Sequence, residues 1–450
     1  MIPFLLSEAV SAVSGEYFGD PALLSEQVCS VVIDSRKAAP HALYVPIIGQ
    51  IHDGHRFIPA AMEQGALAVL SDRPLTDGTP HILVSDTTEA LQRLAEAYLL
   101  AHRIPVIGIT GSVGKTTTKE MLYTVLSRRF SAFKTPGNLN NQTGVPQAVF
   151  QLEKAHDLAI LELGTNHPGE IRALARIVRP DICLITNIGV AHIEFFGSRE
   201  GIFRGKTEML EYMQPDGSII VNGDDDLLSA VPGAICFGLG ENNAVRAVNL
   251  KENGLSGTEF TLVCCGGEMP MRVPAPGRHM VYNALAAIAV GLTLGMTLEE
   301  LREGLLDYAP SAGRMEIKRT KRFTVLDDSY NANPTSVMAA LDVLQRAECQ
   351  RRVCILGDML ELGPDSDAFH EVVGLYAARH DADLILAVGP NAEGIFRGAD
   401  ALRPGRCFYF ETPEALHAAL PSLLRDDDTI LVKASRGMHL EHTVALLETL

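Results

Sequence analysis

Three things are missing from this 450-residue sequence. No Cys-x-x-Cys pair occurs among its eight cysteines, which are scattered at positions 29, 183, 236, 264, 265, 349, 354 and 407. That argues against a disulfide framework or a zinc site, and most of these cysteines sit in apolar runs such as Asp181–Thr186, which suits reduced core thiols. No basic block occurs either: 38 Lys and Arg against 55 Asp and Glu leave a net charge of −17. An acidic excess of that size repels nucleic-acid backbones and anionic lipid heads. No apolar run approaches the roughly 18 residues of a membrane span without a charge or a turn residue. The amino end, MIPFLLSEAVSAVSGEY, has no basic leader region and is interrupted by Ser7 and Glu8, so it fails as a signal peptide. A cytoplasmic protein with no nucleic-acid partner and no membrane insertion is expected.

What is present is a large apolar fraction, 47%, spread over a length that suits two to four domains. Short β-branched runs recur, each followed by a turn and a segment of helical spacing, the alternation of parallel α/β sheets. Strands are predicted at Val106–Ile109, Leu158–Leu163, Ile182–Thr186, Ile219–Val221, Thr324–Leu326, Val353–Leu356, Leu384–Val388 and Thr429–Val432. Several end at a polar residue, where ligands bind in open α/β sheets. The Ala- and Leu-rich segment Thr88–His102 and the YAPSAGR stretch at Tyr308–Arg314 suggest boundaries, giving three domains at 1–84, 85–312 and 313–450. Val245–Val273 alternates with Gly turns and reads as a small antiparallel insertion.

After the strand ending at Ile109 comes Thr110-Gly111-Ser112-Val113-Gly114-Lys115-Thr116-Thr117, then a segment of helical spacing, Lys119–Arg129. Glycines allow close backbone approach, N–H groups and a helix N-terminus face phosphates, Lys115 reaches the terminal phosphates and Thr116 can ligate Mg²⁺. The usual G-x-x-x-x-G-K-[ST] spacing would put its first Gly at position 109, which is Ile109. The loop is therefore a variant, T-G-S-V-G-K-T.

That variant resembles the loop of the Mur ligase superfamily, which includes the folylpolyglutamate synthases. The likeness continues in GNLNNQTGVP at Gly137–Pro146, in Glu162-Leu163-Gly164-Thr165-Asn166, in Thr186-Asn187 and Ala191-His192, and in FGSREGIFRGKTEML around Lys206. It extends through PGRHMVYNALAA around Asn283, AGRME around Arg314, DDSYNANPTS at Asp327–Ser336 and GDMLELG at Gly357–Gly363. Near the amino end it takes in Asp34-Ser35-Arg36 and His52-Asp53-Gly54-His55. The matches are collinear and run through all three inferred domains.

The resemblance implies an α/β protein with a small UDP-binding domain, a central P-loop ATPase domain with a parallel sheet and a C-terminal Rossmann-like domain. ATP and two Mg²⁺ ions are implied as cofactors. Gly111, Ser112, Val113, Gly114, Lys115, Thr116 and Thr117 would cradle the phosphates, with Asn283 near adenine, Arg314 on the phosphates and Asp328 on the ribose. Thr116, Glu162, His192 and Lys206 would serve the metals. Alone, Glu162 at a strand end would be a solvated or salt-bridged carboxylate and His192 a structural imidazole. Imidazole is not magnesium's preferred ligand, so that role comes from the resemblance. Lys206, in what reads as a helix start, would ordinarily be a surface charge; the resemblance makes it a carbamylated lysine formed with CO₂. Its neighbours Phe203 and Gly205 depart from the small or alanine residues expected there. Asn283 could otherwise cap a helix, and Arg314 could pair with Glu316.

Ser35 and Arg36 follow the apolar run Val31–Ile33, where an Arg fork can meet a diphosphate. Asn138, Asn140, Asn141, Tyr330, Asn331 and Asn333 complete the substrate set; whether the last three meet ATP or the acceptor is left open. The activity implied is ATP-dependent amide formation through an acyl phosphate. The substrates implied are UDP-MurNAc-tripeptide and D-Ala-D-Ala, in the synthesis of the bacterial cell-wall precursor, by an enzyme expected to be a monomer. A ligase adding a diamino acid is disfavoured because DSYNANP stands where a D-N-P-R-type motif belongs. A folylpolyglutamate synthase is disfavoured by the unit of about 85 residues ahead of the phosphate loop. A regulatory NTPase that binds a nucleotide sugar is the rival from another class.

Overall fold

A computed structural model describes residues 1–49 and 52–450. Among the described residues three large sheets organise the chain, beside a two-stranded ribbon of Phe4–Leu5 and Gln27–Val28. The first has five strands in the order Glu16–Phe18, His81–Leu83, Ala68–Ser71, Ala42–Tyr44 and Ser30–Val32, parallel except at the first pairing. The apolar run read at Val31–Ile33 is the edge strand Ser30–Val32.

The helix Thr87–His102 leads from this sheet to the second, its Asp86 cap accepting from Glu89 N. Its apolar face, with Leu91, Leu94 and Leu99, packs into one continuous core with Leu6 and Val13 on one side and Val145 and Leu174 on the other. Burying a run of such side chains at about 1.5–3 kcal/mol each ties the first unit firmly to the next.

The second sheet has nine strands, and its outer part corrects one expectation. Seven strands run parallel, in the order Ala132–Lys134, Leu158–Glu162, Val106–Thr110, Ile182–Ile185, Ser218–Asn222, Ile235–Gly238 and Val245–Glu252. The antiparallel pair Thr258–Cys264 and Gly267–Val273 then extends the same sheet. The segment read as a small antiparallel insertion is thus antiparallel within itself but continues this sheet to its edge: Val245 pairs with Phe237 in parallel register, and alternate residues such as Phe260 and Leu262 join the core under the helix Arg278–Thr293. Val106–Thr110 lies between Leu158–Glu162 and Ile182–Ile185, where successive connections leave in opposite directions and a crevice opens at the carboxyl ends.

The third sheet has six strands in the order Glu316–Arg319, Thr324–Asp327, Asp428–Lys433, Arg351–Gly357, Leu384–Val388 and Cys407–Phe410, all parallel but the first. Its central strands are buried on both faces and read as continuous apolar runs, such as VCIL and LILAV. All eight cysteines are free thiols; Cys183, Cys264, Cys354 and Cys407 are buried, and Cys29 and Cys265 are exposed. Among the described residues no helix is long and apolar enough to cross a membrane.

Candidate active site

The turn Gly111–Gly114 joins the strand Val106–Thr110 to the helix Lys115–Leu126. Thr186 and Asn187, at the end of the neighbouring strand, pin it: Val113 N donates to Asn187 Oδ1 at 2.9 Å, and Thr186 Oγ1 and Asn187 Nδ2 donate to Val113 O at 2.7 and 2.9 Å. A Cβ at Gly111 would lie 1.9 Å from Thr186 Oγ1, so only glycine allows that approach. Gly114, at φ +84°, turns the chain into the helix. Lys115 Nζ folds back to donate to Gly111 O at 2.7 Å, the position a cation takes in a loop built for phosphate oxygens. Burial holds the Lys115 amine below its ordinary value, offset by the charge of Glu162. The buried Ser112 Oγ has no hydrogen-bond partner.

Glu162 ends its strand 1% exposed, with Oε1 accepting from Thr116 Oγ1 at 3.0 Å and from Asn140 Nδ2 at 2.9 Å. Its Oε2 accepts no hydrogen bond; the nearest cation is Lys119 Nζ at 3.4 Å. A buried carboxylate oxygen left open beside a threonine hydroxyl is the donor set a hard cation takes. Asn141 serves the fold, its Oδ1 accepting from Gly144 N at 2.7 Å to start the helix Gly144–Val149.

One cavity of about 590 Å³ is lined by Ser112–Thr117 of the loop, Asn138, Asn140, Asn141, Glu162, His192, Asn283, Arg314, Asp328, Tyr330, Asn331 and Asn333. The structure thus gathers most of the predicted residues in one cleft, between the carboxyl ends of the second and third sheets. Asn283 is not a cap: it lies inside the helix Arg278–Thr293, where its Oδ1 accepts from Thr118 Oγ1 at 3.1 Å. Nor does Arg314 pair with Glu316: its Nη2 donates to Thr116 Oγ1 at 3.1 Å, and its guanidinium stands 4.1 Å from the centre of the Tyr330 ring. Asp328 accepts from Met315 N at 3.1 Å and from Lys433 Nζ at 2.5 Å. Asn333 caps the helix Pro334–Arg346 through Ser336 N.

Four predicted residues lie outside the cavity lining. Gly111 begins the loop, packed against Thr186. Ser35 and Arg36 are in the first unit, Ser35 buried and Arg36 an exposed side chain that pairs with Asp34 at 2.8 Å. Lys206 corrects an expectation: it is in the last turn of the helix Arg199–Thr207, not at a helix start, and it is 1% exposed rather than a surface charge. Burial and then the charge of Lys115 push its amine well below the ordinary lysine value. The unexpected Gly205 has its reason nearby, since a Cβ there would sit 2.4 Å from the Phe196 ring. That ring ends the short helix Ile193–Phe196, which His192 starts. His192 Nδ1 lies 2.7 Å from Glu361 Oε2 of the third domain, which holds the Glu361 carboxyl below its ordinary value.

Sequence reasoning missed Lys119, Lys433 and Glu361. Lys119 is wholly buried, donating to Gly137 O at 3.0 Å; its place four residues after Lys115, on the same helix face, was the available signal. Lys433 closes a buried apolar strand, where a lysine needs a carboxylate partner.

A parallel sheet with a phosphate loop facing the carboxyl edge of a second parallel sheet defines a nucleotide-dependent enzyme whose site is completed between domains. The Mur ligase family, catalytic domain, matches residues 27–99, the Mur ligase middle domain residues 109–291, and the Mur ligase, glutamate ligase domain, residues 313–436. A UDP-N-acetylmuramoyl-tripeptide--D-alanyl-D-alanine ligase of Bacillus subtilis (strain 168) is 37% identical over 422 residues, covering 92% of either chain. A crystal structure of MurF from Acinetobacter baumannii superposes with a TM-score of 0.93 at 33% identity over the whole of both chains. That of the MurF ligase from Thermotoga maritima in complex with ADP does so with a TM-score of 0.85 at 29% identity, over 94% of this chain and 97% of that one. The chain belongs to the Mur ligase family.

Proposed function

We propose that the chain is an ATP-dependent amide ligase that joins D-alanyl-D-alanine to UDP-N-acetylmuramoyl-tripeptide, a step of peptidoglycan precursor synthesis. The observation that carries this reading is full-length likeness to ligases of that name, with the phosphate loop and Arg314 of the third domain meeting in one cleft. The borders at 84/85 and 312/313 then separate a domain for the UDP substrate, a domain for ATP and a domain that closes over both. The chain acts in the cytoplasm as a monomer.

The tripeptide carboxylate is a poor electrophile, so its oxygen attacks the γ-phosphorus of ATP, releasing ADP and forming an acyl phosphate. The dipeptide amine attacks the acyl carbon, loses a proton and expels inorganic phosphate. Lys115 and Arg314 converge on the transferring group and offset the charge that develops there. Asn283 orients the adenine end and Asp328 the ribose, the latter sharing its carboxylate with Lys433. Thr116 and Glu162 would hold one Mg²⁺, His192 and Lys206 a second. When bound, the metals supply positive charge against the phosphate oxygens. The open Glu162 Oε2 fits that role. An uncharged Lys206 amine can add to the carbon of CO₂, losing a proton to leave a carbamate whose oxygens suit a hard cation. Ser35 and Arg36 take the diphosphate of UDP, and Asn138, Asn140 and Asn141 line the route between the two substrates. Contact between the domains excludes water from the acyl phosphate.

The test is phosphate release with ATP, Mg²⁺ and UDP-MurNAc-tripeptide, with and without D-Ala-D-Ala. Release that depends on both acceptor and nucleotide sugar, with amide product in equal amount, is expected. Release with ATP alone, indifferent to the dipeptide, would return the chain to the regulatory NTPases.

A further inference from the structure

We propose that Arg436 is the anchor for the carboxylate at the far end of the acceptor dipeptide. The proposal rests on the ligase reading above and concerns the end of the acceptor that the reaction leaves unchanged.

The third sheet sends three loops toward the cleft, from the carboxyl ends of Thr324–Asp327, Arg351–Gly357 and Asp428–Lys433. The last carries Ser435 and Arg436, and it is fixed on both sides. Ser435 N donates to Asp358 O at 2.9 Å, Leu360 N donates to Ser435 Oγ at 2.9 Å, and Ser435 Oγ donates to Ala332 O at 3.3 Å. Ser435 is buried, so the backbone at Arg436 is held while its side chain reaches out.

The Arg436 guanidinium stands 5.2 Å from the centre of the Tyr330 ring, the same ring that Arg314 approaches at 4.1 Å. Two cations on one aromatic side chain repel each other, and neither is closely neutralised. Arg314 has no ion pair among the described residues, and Arg436 has only Glu441 at 3.4 Å, an exposed arginine on a half-buried carboxylate. Such a rim pair is weak and easily exchanged. Lys433 is committed to Asp328 at 2.5 Å, Lys119 lies 3.4 Å from each of Glu120 and Glu162, and Lys115 is turned back onto Gly111 O in the phosphate loop. Arg436, held only by this long pair, presents its fork beside the cleft-lining Tyr330, and the fork's natural ligand is a carboxylate.

Length agrees with charge. Arg314 touches Thr116, so it marks the phosphate end of the cleft, where the acyl phosphate forms. An acceptor that attacks there by its amine carries its carboxylate about 7 Å away, the extended reach of two residues. Both guanidinium groups stand within 5.2 Å of the Tyr330 ring centre, so they are at most about 9 Å apart, a span that two residues can cover. A single amino acid as acceptor would leave the fork unmet.

The experiment compares D-alanyl-D-alanine with D-alanyl-D-alaninamide, which lacks the charge, in the full chain with ATP, Mg²⁺ and UDP-MurNAc-tripeptide. The wild type is expected to use the amide with a KM about 30-fold higher. Arg436→Ala should raise KM for the free dipeptide by a similar factor, leave KM for ATP and the nucleotide sugar unchanged, and no longer distinguish acid from amide. Arg436→Lys, which keeps charge without the fork, should lie between. Should the Ala variant not fold, the Lys variant carries the test, because its loss must fall on the acid and not on the amide. An unchanged acid-to-amide ratio in the variants overturns the assignment while leaving the ligase reading intact. Failure of the wild type to use either dipeptide overturns the ligase reading, and the proposal with it.

Discussion

Arg314 donates to Thr116 across 198 positions of sequence, a 3.1 Å bond between the third domain and the phosphate loop of the second. Thr116 passes its own hydrogen to Glu162. One hydroxyl thus joins a cation from one domain to a carboxylate from another. The His192–Glu361 pair is a second contact between the same two domains.

Lys115 is the loop's own cation, and Lys115→Ala is expected to cost about 10²-fold or more in kcat, the usual scale for losing a group that stabilises a transferring phosphoryl. Single-turnover phosphate release, with circular dichroism to verify folding, checks it. Near-normal kcat in a folded variant would mean that ATP lies elsewhere.

Arg36→Ala should raise KM for the UDP substrate and leave KM for ATP nearly unchanged, because Arg36 is an exposed cation of the first unit and far in sequence from the loop. Steady-state kinetics with each substrate varied in turn separates the two. Equal losses for both would contradict a first domain that serves the nucleotide sugar.

The chemistry of the loop was legible in sequence because it is local: glycines, Lys115 and Thr116 follow one another, and their backbone geometry is set within a few residues. The parallel strands were legible for a similar reason, since burial on both faces writes an apolar run. Lys119 and Lys433 were not, because a buried lysine is identified by its partners, and Gly137 O and Asp328 lie 18 and 105 positions away. Lys206 was misread as a helix start because the break between Ile193–Phe196 and Arg199–Thr207 depends on Ser198 capping Gly201 N, a signal weaker than the apolar pattern around it. The edge strands at Val245–Val273 read as an insertion because antiparallel pairing is local, whereas attachment to Ile235–Gly238 is not.

The short helix that carries His192 is held against the helix that carries Lys206 by two glycines. A Cβ at Gly201 would lie 2.1 Å from Phe196 O, a backbone atom, whereas one at Gly205 meets only the Phe196 ring, at 2.4 Å. Gly201→Ala should therefore destabilise by about 1–3 kcal/mol, the usual cost of overpacking, and Gly205→Ala by less, since a ring can turn aside. Urea unfolding of the two variants gives the order, and the reverse order would refute the contact.

Acid should loosen the first unit by way of Asp53. A hydrogen bond from the His55 backbone, then one from its side chain, lowers the Asp53 carboxyl from 3.8 to about 2. The folded value lies below the unfolded one, so the carboxylate's contribution is complete above about pH 4 and is lost as pH falls toward 2. The side chain is 40% exposed, so screening keeps the effect modest. Asp53→Asn should flatten the acid limb of unfolding followed between those two pH values; an unchanged limb would assign acid sensitivity to other groups.

Lys206 separates two kinds of chemistry at one position. As a cation it would be a buried charge that no carboxylate pairs with among the described residues, a costly arrangement. As a neutral amine, which burial and the Lys115 charge both favour, it is a nucleophile toward CO₂. A cation's role should survive Lys206→Arg. A carbamate's role should not, so both Lys206→Arg and Lys206→Ala are expected to be nearly inactive while remaining folded. Acetate or formate, small enough to fill the space with a carboxylate, should restore part of the activity of Lys206→Ala and none of that of Lys206→Arg, whose side chain still occupies it. Depleting CO₂ should slow the wild type, and isotopically labelled CO₂ should give a carbamate resonance that is absent from both variants. An active Arg variant, together with no labelled resonance in the wild type, would leave Lys206 a buried structural lysine and remove one ligand from the second metal site proposed above.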